Sequence, residues 1–194
     1  LKVQRIDHGV RCLEDPELRV PAGYGKSSNP NDNSVVVLIT YGTQKFLFTG
    51  DAEKAEEGLL LKDPKTAARL SNVSFYKVGH HGAETSSNPP LLAAMAPQAA
   101  GLSAGCKNVS KNAGYRHPRA VTLDALDAIV PGKGTGERTL DSGKTENHTW
   151  TTTKIHTGVY ATPVDDTFVI VADGTTIKGQ TQQVAGALGV CPGH

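Results

Sequence analysis

No stretch of this sequence approaches the roughly 20 consecutive apolar residues needed to cross a bilayer. The longest strongly apolar run, Val35 to Ile39, has the length of a strand. No secretory leader is visible, and the chain opens on Leu1-Lys2-Val3-Gln4 without an initiator Met, so a trimmed start is expected. Neither sign of charge is in excess: 20 Lys and Arg stand against 19 Asp and Glu, a formal net charge of +1. Such a chain has no global field to draw in nucleic acid or an acidic membrane, although a local basic groove is still open to it. Cysteine is scarce. Cys12, Cys106 and Cys191 are too scattered for a zinc-knuckle pattern, and they allow either one disulfide with a thiol left over or three free thiols. No internal repeat and no second domain is visible.

What is present fits one globular domain with a core of its own: 194 residues, 38% hydrophobic and 20% charged. Asn72, Asn108 and Asn147 each open a glycosylation acceptor triplet, but such triplets arise easily by chance and carry little weight. Residues 1–25 read as a strand followed by irregular chain, and Ser27 to Asn33 as a turn-rich loop. Ser34 to Thr40 is β-branched and apolar, and Lys45 to Thr49 returns after a turn at Tyr41 to Gln44. A helix is expected over Ala52 to Leu61, with acidic residues near its start and Asp51 as a candidate cap. Further expectations are a strand at Val73 to Val78, a short helix at Pro89 to Met95, a weak strand at Ala99 to Ala104 and a polar loop at Lys107 to Pro118. A surface helix should follow at Arg119 to Ile129 and a mobile loop at 131–147. The end of the chain reads as β: Trp150 to His156, then Phe168 to Ala172 and Thr175 to Lys178 around an Asp173-Gly174 turn.

Three local features carry chemistry. Gly79-His80-His81-Gly82 ends an apolar strand, where imidazoles can point into a cleft and the glycines let a ligand approach closely. If the strand continues through them, the two histidines face opposite ways and at most one can serve a given metal. The plainer reading is a structural His pair. Phe48-Thr49-Gly50-Asp51 puts a carboxylate just past a buried strand, well placed to ligate a divalent ion; the plainer reading is a helix N-cap. In Tyr115-Arg116-His117-Pro118 the proline pushes His117 toward extended backbone before a helix, and the plainer reading is a solvated loop histidine.

The order of these features resembles the metallo-β-lactamase superfamily, and more closely the hydrolase domain attached to ComEC-type DNA-uptake proteins and its free-standing secreted relatives. The residues that carry the resemblance are Asn31 to Val36, Phe46 to Glu53, Lys77 to Gly82 with Ser86-Ser87, and Asn112 to Pro118, within about residues 29–130. The resemblance implies an α/β (α+β) metallo-β-lactamase-like αββα sandwich, mainly its C-terminal half, with a mixed sheet flanked by helices. Residues 1–182 would form this domain, truncated at its N-terminus, and 183–194 a flexible tail. It implies further that Asp51 matches the carboxylate bridging two metals. One of His80 and His81 matches the late ligand histidine, His81 being favoured, while the other faces a substrate phosphate. His117 could donate a proton or bind phosphate, and Asn33 and Ser34 shape the loop into the first strand.

Two departures stand out: Ala83 occupies the usual Ser position, and the His-x-His-x-Asp-His run that supplies most ligands is absent. His8 does not fit it, and nothing in the spacing of His148 or His156 suggests a substitute. Either an N-terminal part was removed, or the protein works without a complete metal site. The expected function is a metal-dependent phosphodiesterase or nuclease, using zinc or manganese in the intact parent and weakly active or inactive in this chain. The alternatives are a non-catalytic binding or scaffold module of the same fold, or a hydrolase of another ester, lactone or thioester. Nucleic acid or another phosphodiester is the expected ligand, and an extracellular or periplasmic bacterial location follows from the resemblance. A sheet face built to pack on a missing half should be apolar, and should be covered by a dimer, a partner chain or the tail after residue 150.

Overall fold

The protein is described by a computed structural model covering residues 2–6, 28–132, 134–146, 148–182 and 191. Strand β1 (Lys2–Ile6) pairs antiparallel with β2 (Val36–Tyr41), which pairs antiparallel with β3 (Gln44–Phe48). Asn29 caps a short 3-10 turn at Pro30–Asn33 where a loop was expected. Gly42, with φ of +58°, and Thr43 make the two-residue hairpin turn between β2 and β3, a geometry that favours glycine. Helices α1 (Lys54–Lys62) and α2 (Pro64–Arg69) lead to β4 (Phe75–Lys77); α3 (Pro89–Met95) leads to β5 (Ala99–Leu102). Then follow α4 (Asn112–Tyr115), α5 (Ala120–Ile129), β6 (Arg138–Gly143), β7 (Trp150–Ile155), β8 (Val159–Ala161), α6 (Thr162–Asp165), β9 (Thr167–Ala172) and β10 (Ile177–Gln182).

The main sheet has six strands in the order β1-β2-β3-β4-β5-β8, with β3, β4, β5 and β8 parallel neighbours and β1, β2 and β3 antiparallel. The protein is thus α+β, with a mixed sheet flanked by helices. Alternation decides which face is which. Val36, Leu38 and Leu47 are buried and join a core with Leu60 of α1, Leu91, Leu92 and Met95 of α3, and Leu123 and Leu126 of α5. Each fully buried leucine is worth about 1.5–3 kcal/mol relative to an exposed one.

The other face carries Phe75 and Gly101, and the β9–β10 hairpin lies over them. Phe168 of the β9–β10 hairpin sits 6.3 Å from Phe75, ring centre to ring centre, and stacks on Tyr160 at 5.8 Å. Gly101 leaves the room: a Cβ there would meet the Phe168 ring at 2.6 Å. The hairpin is tied down where Thr43 donates its N–H to the Gly174 carbonyl at 2.7 Å and Gln44 donates to Thr175. Val169 and Val171 point away from this contact and are 41% and 51% exposed.

Several expectations need correction. Asp51 does not cap α1: the helix starts later, and its N-cap is Glu53, without a side-chain cap bond. The 131–147 segment contains β6, paired over its length with β7, because cross-strand bonding supplies what its Gly-, Lys- and Thr-rich composition does not. The polar 107–118 loop contains the single turn of α4. Strand β4 stops at Lys77, short of the histidines. Cys106 and Cys191 form a disulfide, while Cys12 and the rest of 183–194 lie outside the described residues.

Candidate functional site

The parallel strands β3, β4 and β5 end at one edge of the sheet, and loops leaving the carboxyl ends of parallel strands are where open α/β sheets form crevices. Here they form a cleft of about 710 Å³. Asp51 follows β3, His80 and His81 follow β4, and the segment after β5 brings His117. All four residues singled out from the sequence line this one cleft.

The histidine pair is not extended. His80 has φ 46° and ψ 44°, His81 φ 54° and ψ 23°, and Gly82 follows at φ 81°. Left-handed conformations cost a non-glycine residue about 1–2 kcal/mol each. Because the chain turns here, alternation across a strand does not apply, and both imidazoles reach the cleft. The turn is held from several sides. His80 donates its N–H to Gly50 at 3.0 Å, and Arg119 donates its N–H to the Gly82 carbonyl at 2.9 Å. Gly79 donates its N–H to the buried Tyr76 hydroxyl at 3.2 Å, and a Cβ on Gly79 would come within 2.2 Å of the Ser86 Oγ. Burial pushes the Tyr76 hydroxyl up to about 12, so it stays a neutral donor and acceptor toward Ser87 and Thr49.

Beneath the turn, Glu57 of α1 is 1% exposed and accepts from Ser87 N–H at 2.6 Å, Asn88 N–H at 2.9 Å, Asn88 Nδ2 at 2.7 Å and Ser86 Oγ at 3.3 Å. Burial pushes its carboxyl above the ordinary value, against those hydrogen bonds.

The histidines differ in surroundings. His80 Nδ1 lies 3.2 Å from Glu53 Oε1, close but not aligned as a hydrogen bond. Glu53 accepts from Asn29 Nδ2 at 2.8 Å and Asn31 Nδ2 at 3.0 Å. Burial raises the Glu53 carboxyl, but bonds from Asn31, Thr85 and Asn29 and the charge of His80 outweigh it and leave it below its usual range. His81 is exposed, its Nδ1 2.8 Å from the Ser103 carbonyl, so Nε2 is its remaining ring nitrogen. His117 is gripped by Asn112, which accepts its N–H and donates to its carbonyl, both at 2.8 Å. Its ring stacks on Tyr115 at 5.8 Å, and its Nδ1 is buried without a hydrogen-bond partner. Burial, then the charges of His80, Arg119 and His81, push it down to about 4, so the ring is neutral at pH 7. Asp51 is anchored through its N–H to Ser34 Oγ at 3.1 Å, and it partly offsets the burial that lowers Lys77.

The sequence reading missed Glu53 and Arg119. Glu53 stood inside a quoted motif without a role, and Arg119 passed as the first residue of a surface helix. His148 also lines the cleft, while His156 is turned to Asp127 at 2.5 Å.

Among the described residues no group of three or more His, Cys, Asp or Glu side chains is arranged to hold a metal ion. Asp51 and His81 fall short of the three or four protein ligands that zinc sites use, so these residues do not fit a complete metal centre.

The fold and site together define an α+β domain with a histidine-rich cleft at the ends of its parallel strands. No family model matches the chain. Over 75 residues it is 36% identical to "Recombination protein 2" of Haemophilus influenzae, which covers 39% of this chain and 9% of that protein. Over 100 residues it is 31% identical to "ComE operon protein 3" of Bacillus subtilis, covering 51% of this chain and 12% of that protein. The chain therefore matches only about a tenth of the length of these curated relatives. No solved structure matches it.

Proposed function

We propose that this domain binds phosphodiesters of the nucleic-acid backbone in the His80–His117 cleft, as half of a metallo-hydrolase-type site. The observation that carries the reading is the meeting of Asp51, His80, His81 and His117, from three separate loops, in one cleft. His80, steered by Glu53, and His117, neutral and stacked on Tyr115, would meet the phosphate, while Asp51 and His81 are the metal-side residues. Hydrolysis with zinc or manganese is proposed only for a protein in which other residues would complete the ligand set beside these two. Its similarity to segments of a recombination protein and of a ComE operon protein supports a DNA-related role in a bacterial competence or uptake setting. The Cys106–Cys191 disulfide supports an extracellular or periplasmic location, since disulfides persist in oxidising compartments. The second reading, a non-catalytic nucleic-acid-binding module, is favoured by the short ligand set among the described residues.

The test is a fluorescence-anisotropy titration of a labelled single-stranded oligonucleotide at about 50 and 200 mM salt, beside an assay with a chromogenic phosphodiester plus zinc or manganese. Salt-sensitive binding without turnover is expected. Absence of binding at low salt sinks the phosphodiester reading, and metal-dependent turnover by this chain would rule out the non-catalytic module.

A further inference from the structure

Arg119, the residue before α5, contributes to the wall of the cleft and is only 7% exposed. Removing a guanidinium from water is costly, so buried arginines are usually paired with carboxylates. Even Arg138, only half-buried, has such a partner: its Nε lies 3.1 Å from an Asp165 oxygen, and its terminal nitrogens bond the carbonyls of Gly136 and Val159. Arg119 does not. Among the described residues no carboxylate lies within ion-pair distance of it. Its Nε is buried without a partner, and Nη1 alone is engaged, donating to the Lys144 carbonyl at 3.1 Å.

An arginine carries five donors in a planar fork that matches two oxygens of a phosphate. Two acids of the cleft are committed elsewhere, Glu53 to Asn29, Asn31 and His80, and Glu84 to the Thr145 hydroxyl; the third, Asp51, makes no ion pair with Arg119. On the same wall the buried Nδ1 of His117 is also without a partner. No side chain caps the ten-residue helix α5, so its N-terminus adds to the local preference for an anion.

We propose that Arg119 anchors an anion subsite in the cleft that takes a phosphate group. The proposal rests on the phosphodiester reading for its substrate, but the phosphate chemistry is shared by a backbone phosphate and by free inorganic phosphate. Arg119 completes its donor set only when such a group is present.

The test compares the wild type with R119Q and R119K in two arms. In the first, inorganic phosphate is titrated while melting temperature and the Arg119 Nε–H resonance are followed. Phosphate should raise the melting temperature of the wild type and shift that resonance. R119Q should lose the thermal response, and R119K should keep part of it, because lysine supplies charge without the fork. In the second arm, R119Q should weaken oligonucleotide binding roughly tenfold and reduce the salt slope by about one. If R119Q responds to phosphate like the wild type, or if saturating phosphate leaves the Nε–H resonance of the wild type unmoved, the proposal is overturned. The resonance decides the matter even if R119Q fails to fold. A phosphate response without oligonucleotide binding upholds the subsite and sinks the phosphodiester reading instead.

Discussion

The imidazoles of His80 and His117 stand with ring centres 5.5 Å apart and planes tilted by 58°. One lies beside a carboxylate; the other has a buried Nδ1 without a hydrogen-bond partner, and burial with the cationic groups around it outweighs the opposing charge of Glu84. Two rings of the same kind, in one cleft, are thereby given different chemistry by their surroundings.

The first prediction concerns pH. His117 is held down to about 4 against an ordinary 6.5. The unfolded chain therefore takes up this proton first as pH falls. The stability linked to His117 is full above about 6.5, declines between about 6.5 and 4, and is level below. Denaturant midpoints measured across that window should fall for the wild type and stay flatter for H117Q. A His117 titration midpoint near 6.5 by NMR would contradict the burial argument.

A second prediction concerns the brace beneath the histidine turn. E57A removes the acceptor shared by Ser86, Ser87 and Asn88; the donors of Ser86 and Ser87 are buried, while half-buried Asn88 keeps its Nδ2 bond to the Thr85 carbonyl. It should cost roughly 2–4 kcal/mol in urea unfolding, with a smaller loss for E57Q. The His80 and His81 resonances should move with it, although neither residue touches Glu57 directly. Unchanged histidine resonances in a destabilised E57A protein would show that the brace supports the core alone.

The third prediction is that F168A uncovers the face on which the β9–β10 hairpin rests. A stability loss of roughly 1–3 kcal/mol is expected, below that of a fully enclosed phenylalanine because Phe168 is half-buried. Binding of a hydrophobic dye should increase. A neutral F168A protein without dye binding would mean that the hairpin does not cover Phe75.

For metal, the expectation is weak binding. Calorimetric titration with zinc or manganese should give no stoichiometric site tighter than about micromolar, equivalent to roughly 8 kcal/mol. A tighter site would mean that residues outside the described ones, such as His8 in the 7–27 segment, supply ligands beside Asp51 and His81.

Much of the sheet was legible in the sequence because its signals are local. The Val35 to Ile39 run, the Gly42 turn and the paired prolines opening α3 each state their element within a few residues. The cleft was legible as four positions, but not as a geometry. Nothing local announces that His80 and His81 adopt left-handed backbone; bonds with Gly50 and Arg119, distant in sequence, hold the turn there together with the Tyr76 hydroxyl just before it. Glu53 looked like an acid favoured at a helix start, and Arg119 like a solvated helix residue, because burial and partners are set by tertiary packing. Strand β6 was invisible for a related reason: its pairing with β7 outweighs its own composition.

The Cys106–Cys191 bond makes a covalent ring of the chain between those residues, which are 85 apart in sequence. That ring begins just before the segment carrying Lys111, Tyr115 and His117, and it encloses the exposed stretch at 134–137. A protease that cuts this stretch opens the ring without releasing anything. The two pieces stay one molecule until a reductant is added, and the rim of the cleft keeps its covalent tie to Cys191 after the backbone has been severed.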